Sequence, residues 1–339
     1  MIRILMCLVL LWCSTGYCVD RPASTPAGVY FVVGPRLFTP TGQPKMIRGV
    51  NHPHYDQPAA VSGIALARAN TVRISVSFLK SQAYNWAVVD PFVTTGVTPI
   101  ISNWNATCKS DLASFNAVVD YWVAQTSTWT RYNQTGLINI ANEWGPASTV
   151  WRDAYIAAIQ RMRLAGYNGT LVVDAPNCGQ GAASVVSYGP AVLASDPQRN
   201  ILFDVHVYGM FHYPATASWM QDYNKTMTEL RASGLPILLG EFGPAPYKTD
   251  DGVVHNVGPS PTYVPTDKLI SDAEANGFGW LAWAWDDNNL AGCLTSDIGW
   301  FGMTKNCAKY TGNDSTELTA FGRKMVPILK AYAASDAAR

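Results

Sequence analysis

Charge is scarce in this sequence. Only 14% of its 339 residues are Asp, Glu, Lys or Arg, and the formal net charge is zero. A chain so balanced has no basic surface with which to hold nucleic acid or an anionic membrane, so neither is expected as a partner. After the first twenty residues no apolar run has the length to span a bilayer. There is no C-x-x-C pair to suggest a zinc site. No G-x-G-x-x-G follows the first strand-like segment, where the chain reads Asn51-His52-Pro53-His54 instead, which argues against a dinucleotide-binding open sheet. Internal repeats, charge runs and low-complexity tracts are also missing, so nothing marks a second domain.

Aromatic residues, by contrast, are abundant: twelve Trp and sixteen Tyr. Most must be core, but flat aromatic faces also suit the apolar faces of sugar rings, and an uncharged substrate suits a charge-poor protein. Arg3 followed by the apolar stretch 4–12 and then small and turn residues has the pattern of a signal peptide, with cleavage near Cys18. Residues 1–18 are therefore set aside as a leader, and 19–339 are taken as one catalytic domain of a secreted, extracellular protein. Four cysteines remain in that domain, and four allow three pairings. The expectation is Cys293–Cys307, closing a local loop, and Cys108–Cys178, tying two loops together. Glycosylation sequons at Asn105, Asn133, Asn168, Asn224 and Asn313 agree with export through a eukaryotic secretory route.

Strand-like and helix-like segments alternate from about residue 46. Eight short apolar runs, at 46–51, 70–76, 98–104, 137–144, 170–174, 201–208, 236–242 and 279–285, read as parallel strands buried on both faces. The clearest helical patterns lie at 111–129, 150–164, 219–232 and 263–275, with a last helix at 315–332. Several helices should end at Gly96, Gly166, Gly234 and Gly277, since glycine accepts the left-handed conformation at a helix end. Residues 28–44 look like a hairpin ahead of the barrel, with Thr41-Gly42 in its turn. Eight β/α repeats predict a single (β/α)₈ TIM barrel, carrying that N-terminal β-hairpin and decorated loops at the C-terminal face.

Polar residues then cluster where such a barrel keeps its active site, at the carboxyl ends of the strands. These are His52 and His54, Arg73, Asn103 and Trp104, Asn142 and Glu143, His206 and Tyr208, Glu241, and Trp283 with Trp285. Singly, each has an ordinary explanation: a solvated glutamate, a satisfied core histidine, an arginine paired inside the core. Together at one rim they would be costly without a task. Two glutamates facing across a pocket suit glycosidic bond cleavage, in which one carboxyl is protonated and the other ionised. An aromatic surround from Trp144 would favour the protonated form of Glu143, and Arg73 with Tyr208 would favour the ionised form of Glu241.

These segments resemble glycoside hydrolase family 5. The resemblance is carried by Asn142-Glu143, Glu241-Phe-Gly, Thr-Val-Arg73-Ile, His206-Val-Tyr208 and Trp-Leu-Ala-Trp283. The stretches Ile-Arg-Gly-Val-Asn-His-Pro-His, Ile-Asn-Ile-Ala-Asn-Glu-Trp and Gly-Trp-Leu-Ala-Trp-Ala-Trp are similar to its endo-β-1,4-mannanase branch. The resemblance runs from about Gly28 to Trp285. It implies a retaining double displacement with Glu143 as acid/base and Glu241 as nucleophile, Asn142 holding a sugar hydroxyl, Arg73 and Tyr208 orienting Glu241, His206 beside the acid/base, and Trp283 stacking on sugar. It implies no metal and no cofactor. The substrate would be a neutral β-1,4-linked polysaccharide (mannan, galactomannan or glucomannan), handled by a monomer, with His54 and Trp104 among its contacts. Trp104 departs from the family pattern, standing where relatives commonly carry His, and so does the segment 286–309. Three rival readings remain: an endo-β-1,4-glucanase, a metal-dependent hydrolase using His52-Pro53-His54 with His206 and Asp286, and a carbohydrate binder without catalysis.

Overall fold

The computed structural model describes residues 19–338 except 54–56, 77, 214, 216, 219, 245–246, 249–253, 256–262, 287–300 and 306–308. It opens with an antiparallel hairpin of β1 (Phe31–Val33) and β2 (Arg36–Phe38). Eight further strands close a parallel barrel in the order β3 (Arg48–His52), β4 (Thr71–Val76), β5 (Thr98–Asn103), β6 (Leu137–Asn139), β7 (Leu171–Asp174), β8 (Ile201–Val207), β11 (Ile237–Phe242) and β14 (Gly279–Ala282). Two-residue strands β9 (Phe211–His212) with β10 (Gln221–Asp222), and β12 (Tyr247–Lys248) with β13 (Val254–His255), lie in the intervening segments. The single (β/α)₈ barrel expected from the alternation of segments is the fold.

Helices surround the barrel: α1 (Ala59–Leu66), α2 (Gln82–Thr94), α3 (Leu112–Ala124), α4 (Thr126–Trp129), α5 (Thr149–Leu164), α6 (Ala182–Ser195), α7 (Tyr223–Ala232), α8 (Thr266–Asn276) and α9 (Ala320–Ala337). Their starts follow local chemistry. Asp111, Ser148, Asp222 and Thr319 each accept a backbone N–H of the first turn of α3, α5, α7 and α9, respectively, satisfying a donor that has no partner inside the helix. On α5 the buried positions Trp151, Ala154, Tyr155, Ala158, Ile159 and Met162 recur at helical spacing and face the barrel. Gly96, Gly166, Gly234 and Gly277 all have positive φ, between 66° and 96°, as helix-ending residues should.

Alternation along the strands separates two cores. Val72, Ile74, Ile101, Ile138, Val173, Phe203, Val205 and Leu239 point outward into the layer shared with the helices. A smaller cluster of Ile47, Ile100, Leu137, Val172, Leu202, Leu238 and Leu281 fills the amino-terminal end of the barrel, and the hairpin closes it with Val32 and Leu37. Two residues further along, the inward positions become polar: Arg73, Ser102, Asn139, Asp174 and Asp204, all buried. The barrel is therefore apolar at its floor and charged at its middle.

Several boundaries differ from the sequence expectations. The hairpin turns at Gly34-Pro35, while Thr41-Gly42 makes a second turn, closed by Gly42 N–H donating to Thr39 O, that folds Pro44 back onto Phe38. The fourth barrel strand ends at Asn139 rather than 144, because the chain then bends to a left-handed residue at Glu143 (φ 53°). The last helix begins after a short 3-10 turn at Ser315–Glu317, with Thr319 as its cap. The predicted Cys293–Cys307 pair lies outside the described residues.

Gly240, on β11, lies beside Asp204 of the neighbouring strand β8. A Cβ there would sit 2.0 Å from both Asp204 carboxylate oxygens, and Asp204 is fully buried between Arg73 and His206. Gly240→Ala is expected to lose about 3 kcal/mol or more of stability, at the upper end of what overpacking costs. Urea unfolding would measure it, and an unchanged midpoint would contradict this account of the barrel interior.

Candidate active site

Glu241 lies in β11 and is almost fully buried. Both of its oxygens are engaged: Arg73 Nη1 donates to Oε1 at 2.6 Å and the Tyr208 hydroxyl donates to Oε2 at 3.1 Å. Glu143 follows the end of β6 on the other side of the pocket, its side chain 13% exposed. His206 stands between them, with Nδ1 2.9 Å from Glu143 Oε1 and 3.5 Å from Glu241 Oε2. One oxygen of each glutamate and a ring nitrogen of His206 lie within 4.8 Å of one another. Two acids separated by 98 positions thus share one mouth of the barrel.

Arg73 organises this centre from beneath. Its Nη2 donates to Asn142 Oδ1 (2.5 Å), Asn139 Oδ1 (2.9 Å) and Asp174 Oδ2 (3.2 Å), and Nη1 reaches Asn51 Oδ1 at 3.3 Å as well as Glu241. Asn142 is held on its other side by donating Nδ2–H to Thr107 Oγ1 at 2.9 Å. Asp204 lies 3.9 Å from Arg73 Nε and 3.6 Å from His206 Nε2. Asp174, Asp204 and Asn139 were not singled out from sequence as site residues. The available signal was parity: Asp204, His206 and Tyr208 are spaced by two along a single strand, and Asp174 shares the inward face with Val172.

Two electrostatic expectations need correction. Trp144 does not surround Glu143. Its ring is buried against Phe115, 4.1 Å between centroids, and its Nε1–H donates to Asp111 O. The neighbours of Glu143 are instead His206 and the Cys108–Cys178 disulfide, whose Cys108 Sγ lies 3.3 Å from Oε2. Glu241, expected to favour the ionised form through Arg73 and Tyr208, does contact both. Yet burial pushes its carboxyl up to about 7, further raised by Glu143, although His206 and Arg73 pull the other way. Burial opposes a charge on His206, but Glu241, Asp204 and the contact with Glu143 outweigh it and hold the imidazolium well above its ordinary range. Burial likewise lifts Asp174 to about 6 against the pull of Arg73.

The pocket wall is aromatic. Trp104 and Trp283 stand 5.3 Å apart between ring centroids, with Tyr208 and Phe301 alongside Trp283. Trp104 Nε1–H donates to Ser102 Oγ, and its ring lies 5.8 Å from the Arg73 guanidinium. His54 lies outside the described residues. His52 is buried, paired with Asp286 at 3.0 Å and set edge-on to Phe92. The two clusters of potential metal ligands among the described residues are Glu143/His206/Glu241 and Asp174/Asp204/His206. Neither contains His52 or Asp286, which the metal-hydrolase reading requires.

The description of the cellulase family, glycosyl hydrolase family 5, matches residues 38–289, about three quarters of the chain. This chain belongs to glycosyl hydrolase family 5. It is therefore a glycoside hydrolase. It is 30% identical over 275 residues to a mannan endo-1,4-beta-mannosidase of Salipaludibacillus agaradhaerens, covering 77% of this chain and 82% of that one. A mannan endo-1,4-beta-mannosidase of Streptomyces lividans is 29% identical, with 94% and 79% covered. The structure of a Thermomonospora fusca beta-mannanase in complex with mannohexaose superposes with a TM-score of 0.70 at 27% identity, covering 88% of this chain and 94% of that one.

Gly179 precedes α6 in the loop after β7, in a left-handed conformation (φ 74°), and a Cβ there would meet His206 Nδ1 at 2.5 Å. Gly179→Ala is expected to displace the imidazole from Glu143 and to lower glycosidase turnover by about tenfold or more, the range in which acid–base positioning operates. Steady-state kinetics on a folded variant test this, and turnover within twofold of the parent would count against a tight role for that contact.

Proposed function

We propose that this chain is a secreted, retaining endo-β-1,4-mannanase that cleaves internal bonds of mannans by double displacement. The observation that carries the mechanism is the closeness of the two carboxylates, with an oxygen of each within 4.8 Å. Retaining enzymes need about 5–5.5 Å between carboxyl groups, and inverting enzymes need roughly 6.5–9.5 Å to admit a water between acid and base. In the first step a Glu241 oxygen bonds to the anomeric carbon as the bond to the leaving glycosidic oxygen breaks, and Glu143 gives its proton to that oxygen. In the second, the Glu143 carboxylate takes a proton from water, whose oxygen attacks the anomeric carbon and releases Glu241.

The surroundings support these roles. Glu241 is held by two donors that fix its oxygens, as a nucleophile aimed at one atom requires. Glu143 is the more exposed of the two, open on one side to a leaving group and to water. Trp283 and Trp104 offer rings for sugar faces, and Asn142, beside Glu143, offers an amide to a sugar hydroxyl. The preference for mannan over cellulose rests on the named activities of the relatives above.

Export is supported by the Cys108–Cys178 disulfide, a bond typical of oxidising compartments, and we propose that residues 1–18 are its cleaved leader. Of the five sequons, Asn224 and Asn313 are exposed. The side-chain amides of Asn105 and Asn133 already donate to Asn103 Oδ1 and Gly166 O, which favours Asn224 and Asn313 as glycan carriers.

Reducing-end release from galactomannan, with little from soluble cellulose, is the expected outcome for the purified protein, and action on the cellulose alone would reject the mannanase assignment. Glu241→Ala should lower turnover roughly 10³-fold or more while leaving the fold intact, and near-normal turnover would remove it from the nucleophile role. Glu241 must be ionised to attack, so its protonation as pH falls removes activity. Because burial lifts it to about 7 from an ordinary 4.5, the acid limb of kcat/KM should lie well above the usual carboxylate range. A profile that stays flat down to pH about 5 would contradict this.

A further inference from the structure

We propose that Asp174, on the barrel strand next to the one that leads to Glu143, is a positioning residue that sets the acid/base carboxyl through its backbone. This rests on the assignment of Glu143 as acid/base. The side chain of Asp174 is fully buried at the inward-facing end of β7. Its Oδ2 accepts the backbone N–H of Glu143 at 2.8 Å.

Glu143 needs such a hold. Its φ of 53° lies in the left-handed region, which costs a non-glycine residue energy and persists only where neighbours enforce it. Relaxation to the ordinary region would swing the side chain away from His206 and Glu241. The N–H that Asp174 accepts belongs to the strained residue itself, so one buried carboxylate fixes the conformation that aims the acid.

Asp174 is well placed to be rigid. Its Oδ1 accepts Asn139 Nδ2–H at 2.5 Å, and Oδ2 also accepts from Arg73 Nη2 at 3.2 Å. Its backbone oxygen accepts the indole N–H of Trp151 at 3.0 Å. His206 Nε2 lies 3.7 Å from Oδ2. The same carboxylate therefore touches the backbone of one catalytic glutamate and the arginine that grips the other. The two routes are chemically separable. Loss through Glu143 impairs protonation of the leaving group, whereas loss through Arg73 impairs attack by Glu241.

A leaving group that departs without a proton separates them. Asp174→Asn would be assayed on mannan and on 2,4-dinitrophenyl β-mannobioside, with Glu143→Ala as the reference. The expected result is a fall in kcat on mannan of about tenfold or more. KM should stay within about threefold, and kcat/KM on the dinitrophenyl substrate should be largely retained. In the Glu143→Ala background, Asp174→Asn should cost little more, because both changes act on one group. Equal losses on the two substrates, or undiminished loss in the Glu143→Ala background, would overturn the proposal. Should Asp174→Asn not fold, Asp174→Glu keeps the charge beside Arg73 but shifts the oxygens by a methylene, and it should show the same dependence on leaving group. If Glu143→Ala itself loses both substrates equally, the acid/base assignment fails and this proposal with it. A selective loss in Glu143→Ala without one in either Asp174 variant overturns the positioning role alone.

Discussion

A single guanidinium, fully enclosed by the barrel, carries the most consequential interaction in this molecule. Arg73 has no solvent exposure, and it bonds to Glu241, Asn142, Asn139, Asp174 and Asn51. Removing such an ion from water costs several kcal/mol even after relaxation, and the cost is offset only if its donors are well used. Here they are spent on groups from four different strands, β3, β6 with the bend after it, β7 and β11. The planar fork therefore does what a lysine could not: it fixes several acceptors at defined angles around one cation. Its hold on Glu241 is direct, and its hold on the Glu143 side runs through Asn142 and Asp174.

Charge balance around that cation has a chemical consequence. Four carboxyl groups (Glu143, Asp174, Asp204 and Glu241) gather about two cationic side chains, Arg73 and His206. Full ionisation would leave excess negative charge in a buried volume, where like charges are poorly screened. Burial accordingly lifts Asp174 and Glu241 while the acids keep His206 protonated. In a double displacement one carboxyl must donate while the other is bare, so Glu241 has to lose its proton in this enclosure before it can attack. The titration of such a cluster belongs to the set rather than to any one member.

Much of this was legible in the sequence because a parallel barrel writes its strands as short apolar runs and its helix ends as glycines. All eight barrel strands fall on those runs, and the four named glycines adopt positive φ. The boundary of the fourth strand was missed, because hydrophobic pattern continues through Ile140 and Ala141 although the ladder ends at Asn139. What places Glu143 is a backbone dihedral, and dihedrals leave little trace in residue type. The placement of Trp144 has the same cause. A residue next to Glu143 in sequence points into the helix layer once the chain bends between them. Asp174 and Asp204 escaped notice because each looked like an isolated acid in an apolar run, and only closure of the barrel brings them under Arg73.

The two ends of the barrel divide the work between stability and chemistry. At the floor, Val32 and Leu37 of the hairpin seal an apolar cluster to which six barrel strands contribute, so hydrocarbon burial there stabilises the barrel. Midway up, the same inward face of the same strands changes to Arg73, Asn139, Asp174 and Asp204, and further still to His206 and Tyr208. Such a charged layer contributes little net stability by itself. It can be maintained because the outward faces of those strands bury a continuous layer against the helices. The rim is then tied where the chain is least regular. The disulfide joins Cys108 after β5 to Cys178 after β7, bracketing the bend that carries Glu143, and Gly179 allows the next loop to lie against His206. The acid is therefore confined from three directions: by Asp174 beneath its backbone, His206 beside its carboxyl, and the sulfur bridge at its outer edge.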